Sequence, residues 1–136
     1  SEWDDVARKV ILQAREQGGK IPGLGHPIHK DGDPRTPVMF RIAKESGLKR
    51  GHLNLYEAIG RVHHEILGKN LPLNGAGVSG AALADLGLPP HTLRGFALLA
   101  RTAGLIGHLL EELEDPAAPD IYMSVDGHTK YVPPTK

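Results

Sequence analysis

The sequence predicts an all-α fold of about five helices, followed by an extended C-terminal arm. Apolar residues recur at helical spacing in several windows, and glycines and prolines interrupt the chain between them. No segment of strand length alternates polar and apolar residues. The 136 residues favour one domain with a core of leucine, isoleucine, valine and alanine, because aromatic residues make up only 4% of the chain.

The first helix is predicted over residues 3–17, where Trp3 and Val6 begin an apolar stripe. Gly18-Gly19 ends this helix. Residues 19–35 follow as a loop that is dense in glycine, proline and aspartate. This loop also carries the chain's most promising set of reactive side chains.

Four further helices are expected. One starts at Thr36-Pro37, because threonine can cap free amides and proline suits the first helical position, and it ends at Gly47. Another covers about residues 52–67, and a helix of small residues covers about 77–86. The longest covers about residues 91–114.

The C-terminal segment differs from the rest. Residues 116–136 contain prolines and show weak periodicity, which predicts an extended arm that needs another surface to pack on. We therefore divide the chain into a helical unit, residues 1–115, and an arm, residues 116–136.

Composition excludes several classes of function. Lys+Arg and Asp+Glu are equal at 16 each, which argues against a nucleic-acid-binding protein. The absence of cysteine excludes disulfides and thiolate metal sites, and fits a cytoplasmic location. The polar start shows no signal peptide, and Arg94, Arg101 and His108 interrupt the longest apolar stretch, which argues against a membrane span.

The loop at residues 22–35 has the composition of an anion-binding segment. Gly23 and Gly25 permit backbone conformations and close approaches that side chains would block. The basic side chains of the loop include His26, Lys30 and Arg35. The alternative interpretation is an exposed loop with turn glycines.

A metal site is not predicted. His26 and His29 flank Pro27 without a third ligand nearby, whereas zinc sites usually need three or four protein ligands. His63-His64 are adjacent, so on a helix their side chains diverge.

Two further positions suit an anionic ligand. Arg101 interrupts an apolar helix face, and its guanidinium suits a carboxylate; the alternative is an ion pair with a local Asp or Glu. Lys69 and Asn74 lie near the start of a glycine-rich helix, whose amides can receive an anion. The alternative for Lys69 is a solvated side chain at a helix end.

Two motifs carry a family resemblance. They are Pro22-Gly23-Leu24-Gly25-His26 with Asp33-Pro34-Arg35, and Leu99-Ala100-Arg101-Thr102-Ala103-Gly104-Leu105-Ile106-Gly107-His108. Because the two motifs occur in this order, the chain resembles the citrate synthase family, in particular its citryl-CoA lyase-like members, from about residue 8 to 122. The resemblance implies a C-terminal piece of a longer enzyme. Residues 1–115 would be its small domain, and residues 116–136 would belong to a large domain outside this sequence.

The resemblance implies site roles. His26 would be the catalytic residue that hydrogen-bonds the oxygen at the reacting carbon, while Arg35 and Arg101 would hold substrate carboxylates. The coenzyme A thioester would be a co-substrate, and no metal is implied. Its contacts would come from Ile21, Pro22, Gly23, Leu24, Gly25, Lys30, Lys69 and Asn74. The parent protein would be a homodimer.

The chain also departs from the family pattern. Ala76, in Asn74-Gly75-Ala76, stands where the family has an aspartate that removes a proton, and alanine cannot transfer one. The resemblance would place the family's second catalytic histidine upstream of this sequence. Around Ala118 there is no arginine to match the family's cross-subunit contact. The isolated chain is therefore expected to be inactive.

Three hypotheses remain open. The parent protein is an enzyme that cleaves citryl-CoA to acetyl-CoA and oxaloacetate, with citrate synthase proper as the nearest alternative. In the second hypothesis, the parent protein is a non-catalytic module that binds coenzyme A thioesters. In the third hypothesis, the chain is a structural helical domain whose residues 116–136 contact a partner.

Overall fold

The computed structural model describes residues 1–48 and 50–134, and it confirms the all-α prediction. Its helices are α1 (Glu2–Glu16), α2 (Arg35–Glu45), α3 (Gly51–Leu67), α4 (Gly75–Asp85), α5 (Leu93–Glu114) and α6 (Ala118–His128), with a 3-10 turn at Pro90–Thr92. In these ranges the β-type pairing is limited to an isolated antiparallel bridge between Leu24 and Leu73. The chain divides into two compact units, residues 1–95 and the residues from Phe96 onward.

Helix α3 is the centre of the first unit. It packs against α1 and against α4, and α2 packs on α4. One buried cluster joins α1 to α3 and contains Ala7, Ile11, Ala58, Ile59 and Val62. A second joins α2, α3 and α4 and contains Ala43, Leu53, Tyr56, Val78 and Ala82. Helix α3 therefore needs apolar residues on two faces, which explains its broad apolar surface.

A buried carboxylate from α4 caps the start of α3. Asp85 accepts hydrogen bonds from the backbone N–H groups of Arg50 (3.0 Å), His52 (2.9 Å) and Leu53 (3.0 Å). Burial favours a raised pKa for Asp85, but these hydrogen bonds, with one from the His52 ring, outweigh it and lower the pKa. The first amides of α3 thus depend on a carboxylate on the following helix, 32 to 35 residues further along the chain.

The prediction that Thr36 caps α2 is wrong. Helix α2 already begins at Arg35, and the Thr36 hydroxyl donates a hydrogen bond to the carbonyl of Leu73 at 3.0 Å. The carboxylate of Asp33 receives the Arg35 amide instead, at 3.1 Å. The Thr36 hydroxyl therefore bonds a carbonyl in a distant segment of the chain and does not cap its own helix.

The C-terminal segment differs from the predicted extended arm. Helix α6 occupies Ala118–His128, and residues 129–134 have no regular structure. The carboxylate of Glu112 accepts the amides of Ala117 (3.1 Å) and Ala118 (2.8 Å), which satisfies the start of α6. Pro119 lies in the first turn, where a missing N–H is tolerated. Thr135 and Lys136 lie outside the described residues.

No helix among the described residues has both the length and the apolar character needed to cross a membrane.

Candidate functional site

The glycine turn at residues 21–25 is fixed against the segment that precedes α4. The Gly25 amide donates to the carbonyl of Pro72 at 2.7 Å, and the Asn74 amide donates to that of Gly23 at 3.0 Å. Gly23 has a φ of +89°, and a Cβ there would lie 2.6 Å from the ring of Tyr56. Both the backbone conformation and the space therefore require glycine at this position.

His26 follows the turn, and two backbone amides orient its ring. Its Nδ1 accepts hydrogen bonds from the amides of Ile28 and His29, both at 3.1 Å. An accepting Nδ1 carries no proton, so the neutral ring carries its proton on Nε2. The Nε2 atom lies 3.3 Å from Nη2 of Arg35. Arginine only donates, so the two side chains present adjacent N–H donors suited to one shared oxygen acceptor.

Arg35 is oriented by a carboxylate that the sequence analysis did not assign to the site. Asp33 is bonded by Arg35 Nε at 2.9 Å and by Nη2 at 2.7 Å. The Asp33 side chain is completely buried, whereas that of Arg35 is 59% exposed. Asp33 therefore holds the guanidinium in a fixed bidentate geometry and leaves much of it open to a ligand.

Asp33 is not a free proton acceptor. The Arg35 guanidinium, with the amides of Gly75 and Arg35, keeps the pKa of Asp33 far below its usual range, although burial opposes the shift. The Gly75 amide donates to Asp33 at 2.6 Å. The sequence signal was available, because an aspartate just before a helix commonly caps it. Its second role, as the partner of Arg35, depends on tertiary structure.

The start of α4 forms the other side of the site. Asn74 caps the helix by accepting the Gly77 amide at 2.9 Å, and its side-chain amide donates to the Gly25 carbonyl at 2.8 Å. A Cβ on Gly75 would lie 2.8 Å from Nε of Arg35. Ala76 is exposed in this first turn and offers only a methyl group.

The remaining predicted coenzyme contacts have varied surroundings. Ile21 and Leu24 are partly buried and pack on the α1–α3 cluster, so they anchor the turn. Pro22 and Lys30 are exposed. Lys69 is exposed beside an open depression that it lines with His64, Gly68 and Asn70. Their contact with coenzyme A stays a prediction.

Arg101 lies on α5 in the second unit and is exposed. Within residues 1–48 and 50–134 it has neither a hydrogen-bonding nor an ionic partner, so the proposed local ion pair is not formed there. Its convergence with His26 and Arg35 on one substrate stays a prediction. The same residue ranges contain no group of three His, Asp or Glu side chains placed to hold a metal ion.

A family model and individual relatives both show similarity to citrate synthases. The family model described as citrate synthase, C-terminal domain, matches residues 2–121. Citrate synthase of Deinococcus radiodurans is 30% identical over 115 residues, which cover 82% of this chain and 30% of that protein. The protein named 2-methylcitrate synthase 1 of Corynebacterium glutamicum is 30% identical over 110 residues, covering 77% and 28%.

A solved structure has a similar fold. The citryl-CoA lyase from Hydrogenobacter thermophilus matches with a TM-score of 0.78 and 27% identity, over 96% of this chain and 52% of that chain. The chain thus spans about half the length of that lyase and less than a third of the two synthases. The family model covers nearly the whole helical region that builds the site. On this evidence, the chain belongs to the citrate synthase family.

Proposed function

We propose that the chain forms part of an enzyme that makes or breaks a carbon–carbon bond between an acyl-CoA thioester and an oxo acid. The observation that carries this proposal is the donor pair of His26 Nε2 and Arg35 Nη2, 3.3 Å apart. Such bond changes pass through an enolate and an alkoxide, and fixed donors aimed at developing negative charge are usually the largest catalytic contribution. His26 donates to the oxygen at the reacting carbon, while Arg35 holds a carboxylate of the oxo acid.

The second part of the proposal concerns the coenzyme. The glycine turn is partly exposed, and the exposed side chains of Lys30 and Lys69 supply cations for the phosphates of the coenzyme. The resemblance also assigns Arg101 to a substrate carboxylate. Holding the two fragments in a fixed orientation removes much of the entropic barrier.

We favour the cleavage of citryl-CoA to acetyl-CoA and oxaloacetate, with citrate formation as the alternative direction. The structural likeness to a citryl-CoA lyase and the sequence likeness to citrate synthases support both. The proposal includes a cytoplasmic, homodimeric parent protein, whose small domain is residues 1–115. Without the rest of that protein, the chain is expected to show no turnover.

A specific observation favours a second candidate, a non-catalytic module that binds coenzyme A thioesters. Ala76 has no titratable group, and Asp33 is fully engaged by Arg35 and Gly75. Neither residue therefore supplies a free carboxylate for proton transfer, whose contribution to rate is typically about 10²–10⁴-fold.

Calorimetric titration of the chain with coenzyme A and with oxaloacetate tests the proposal. Arg35→Ala should weaken oxaloacetate binding at least about tenfold, since hydrogen bonds to charged groups contribute about 1.5–3 kcal/mol. Arg41→Ala, on the exposed part of the same helix, is the matched control. Failure of both ligands to bind the unaltered chain would refute the proposal. Turnover of citryl-CoA by the full-length protein separates the enzyme from the binding module.

A further inference from the structure

We propose that Tyr56 is a positioning residue, whose hydroxyl holds the glycine turn against the start of α4 and thereby sets the affinity for coenzyme A. This inference rests on the proposed function, because it assumes that the turn contacts the coenzyme. Tyr56 acts through the backbone of Gly23 and Asn74, and no direct contact with the ligand is required.

The hydroxyl of Tyr56 lies at the junction of the two segments. It donates to the carbonyl of Gly23 at 2.7 Å and accepts the amide of Asn74 at 3.0 Å. The carbonyl of Asn74 lies 3.1 Å away as a second acceptor. One buried side chain thus contacts both the turn and the residue that caps α4.

The ring of Tyr56 fixes the spacing of the same segments. A Cβ added to Gly23 or to Gly77 would collide with this ring. The ring stacks on that of Phe40, with centroids 6.3 Å apart. The residue is only 6% exposed, and burial raises the pKa of its hydroxyl to about 12. The hydroxyl therefore stays protonated, and remains a donor to Gly23, at neutral pH.

Different contacts hold the two sides of the site. Arg35 is held by Asp33, which also accepts the Gly75 amide. The glycine turn is held by Tyr56 and by the side-chain amide of Asn74, which donates to Gly25. Loss of the Tyr56 hydroxyl should therefore loosen the coenzyme side and leave the carboxylate side intact. A merely structural role would weaken both sides together.

The test compares Tyr56→Phe with Leu53→Met, at a buried residue of the same cluster near the start of α3. Both changes are small and retain most of the packing, and urea unfolding would establish that both variants are folded. Calorimetry would measure the dissociation constants for coenzyme A and for oxaloacetate. Tyr56→Phe should weaken coenzyme A binding about 3- to 10-fold, the size of one lost hydrogen bond, and change oxaloacetate binding less than twofold. Leu53→Met should change neither.

A second measurement needs no variant. Coenzyme A should slow hydrogen exchange of the Gly25 and Asn74 amides in the unaltered chain, because binding keeps the turn closed on α4. Unchanged exchange at both amides on binding would overturn the inference. So would equal coenzyme A affinity in Tyr56→Phe and the unaltered chain, or equal losses in the two variants or for the two ligands. An unaltered chain that binds no coenzyme A would also overturn the inference. A chain that binds neither coenzyme A nor oxaloacetate would overturn the proposed function as well, whereas the other outcomes would leave it standing.

Discussion

The two units contain similar amphipathic helices but differ in what those helices bury. In the first unit, Leu53 on α3 is completely buried, whereas Leu113 on α5 is 80% exposed. No residue of α5 or α6 is buried, and these helices lie within the described ranges. Helical periodicity thus predicts a helix in both units, but it does not supply the surface that covers the apolar face.

The apolar surface of α5 follows a regular pattern. Leu99, Ile106 and Leu113 are seven residues apart and are 69%, 59% and 80% exposed. Exposed apolar patches of this kind commonly mark interaction surfaces. The comparison of the two units therefore predicts that equal substitutions will have unequal effects.

The largest difference is expected for leucine substitutions. Leu53→Ala should lower the free energy of unfolding by about 2–5 kcal/mol, because it opens a cavity in a packed core. Leu109→Ala on α5, where the side chain is 57% exposed, should change it by less than about 0.5 kcal/mol. Urea unfolding monitored by circular dichroism measures both. Similar losses in the two variants would contradict the contrast between the units.

The next largest difference concerns the carboxylates that cap helices. Asp85→Ala should lower the free energy of unfolding by about 2 kcal/mol, because buried amides of α3 lose their charged acceptor. Glu112→Ala, which removes the corresponding acceptor for α6, should have a much smaller effect because that helix is exposed. A larger loss from Glu112→Ala than from Asp85→Ala would reverse the comparison.

Acid should destabilise the first unit through the same buried carboxylates. The folded-state pKa values of Asp33 and Asp85 are lowered, so both groups stabilise the fold above their unfolded pKa, about 3.9, and lose this effect as the pH falls below it. The urea concentration at the midpoint of unfolding should therefore decrease as the pH is lowered from about 4 to about 2. Asp85→Asn should make this fall shallower, and an unchanged pH profile would contradict the assignment.

The smallest effect is expected where the two units are alike. A Cβ added to Gly80 in α4 or to Gly104 in α5 would meet open space. Gly80→Ala should raise the free energy of unfolding by about 0.5–1 kcal/mol, through the lower backbone entropy of the unfolded chain. Gly104→Ala should increase helical ellipticity. A loss of stability in Gly80→Ala would show that the helix is constrained there.

The sequence predicted much of the fold and the proximity of two side chains of the candidate site. The helical windows were found because their periodicity is local, and the resemblance placed His26 and Arg35 in one site, where the structure brings them together. Asp33 and Tyr56 were missed because their roles depend on contacts with segments distant along the chain. Helix α6 was missed because its cap comes from Glu112 on the preceding helix. Contacts of this kind leave no periodic signal.

The remote cap on α3 has a consequence for the order of folding. Before the last turn of α4 arrives, the leading amides of α3 have no carboxylate to receive them, so α3 alone has an incomplete nucleus. Because α3 contributes to both buried clusters, the α1–α3 and α2–α4 halves cannot consolidate independently. We therefore expect this unit to fold in one cooperative step, which requires that Asp85 reach the start of α3.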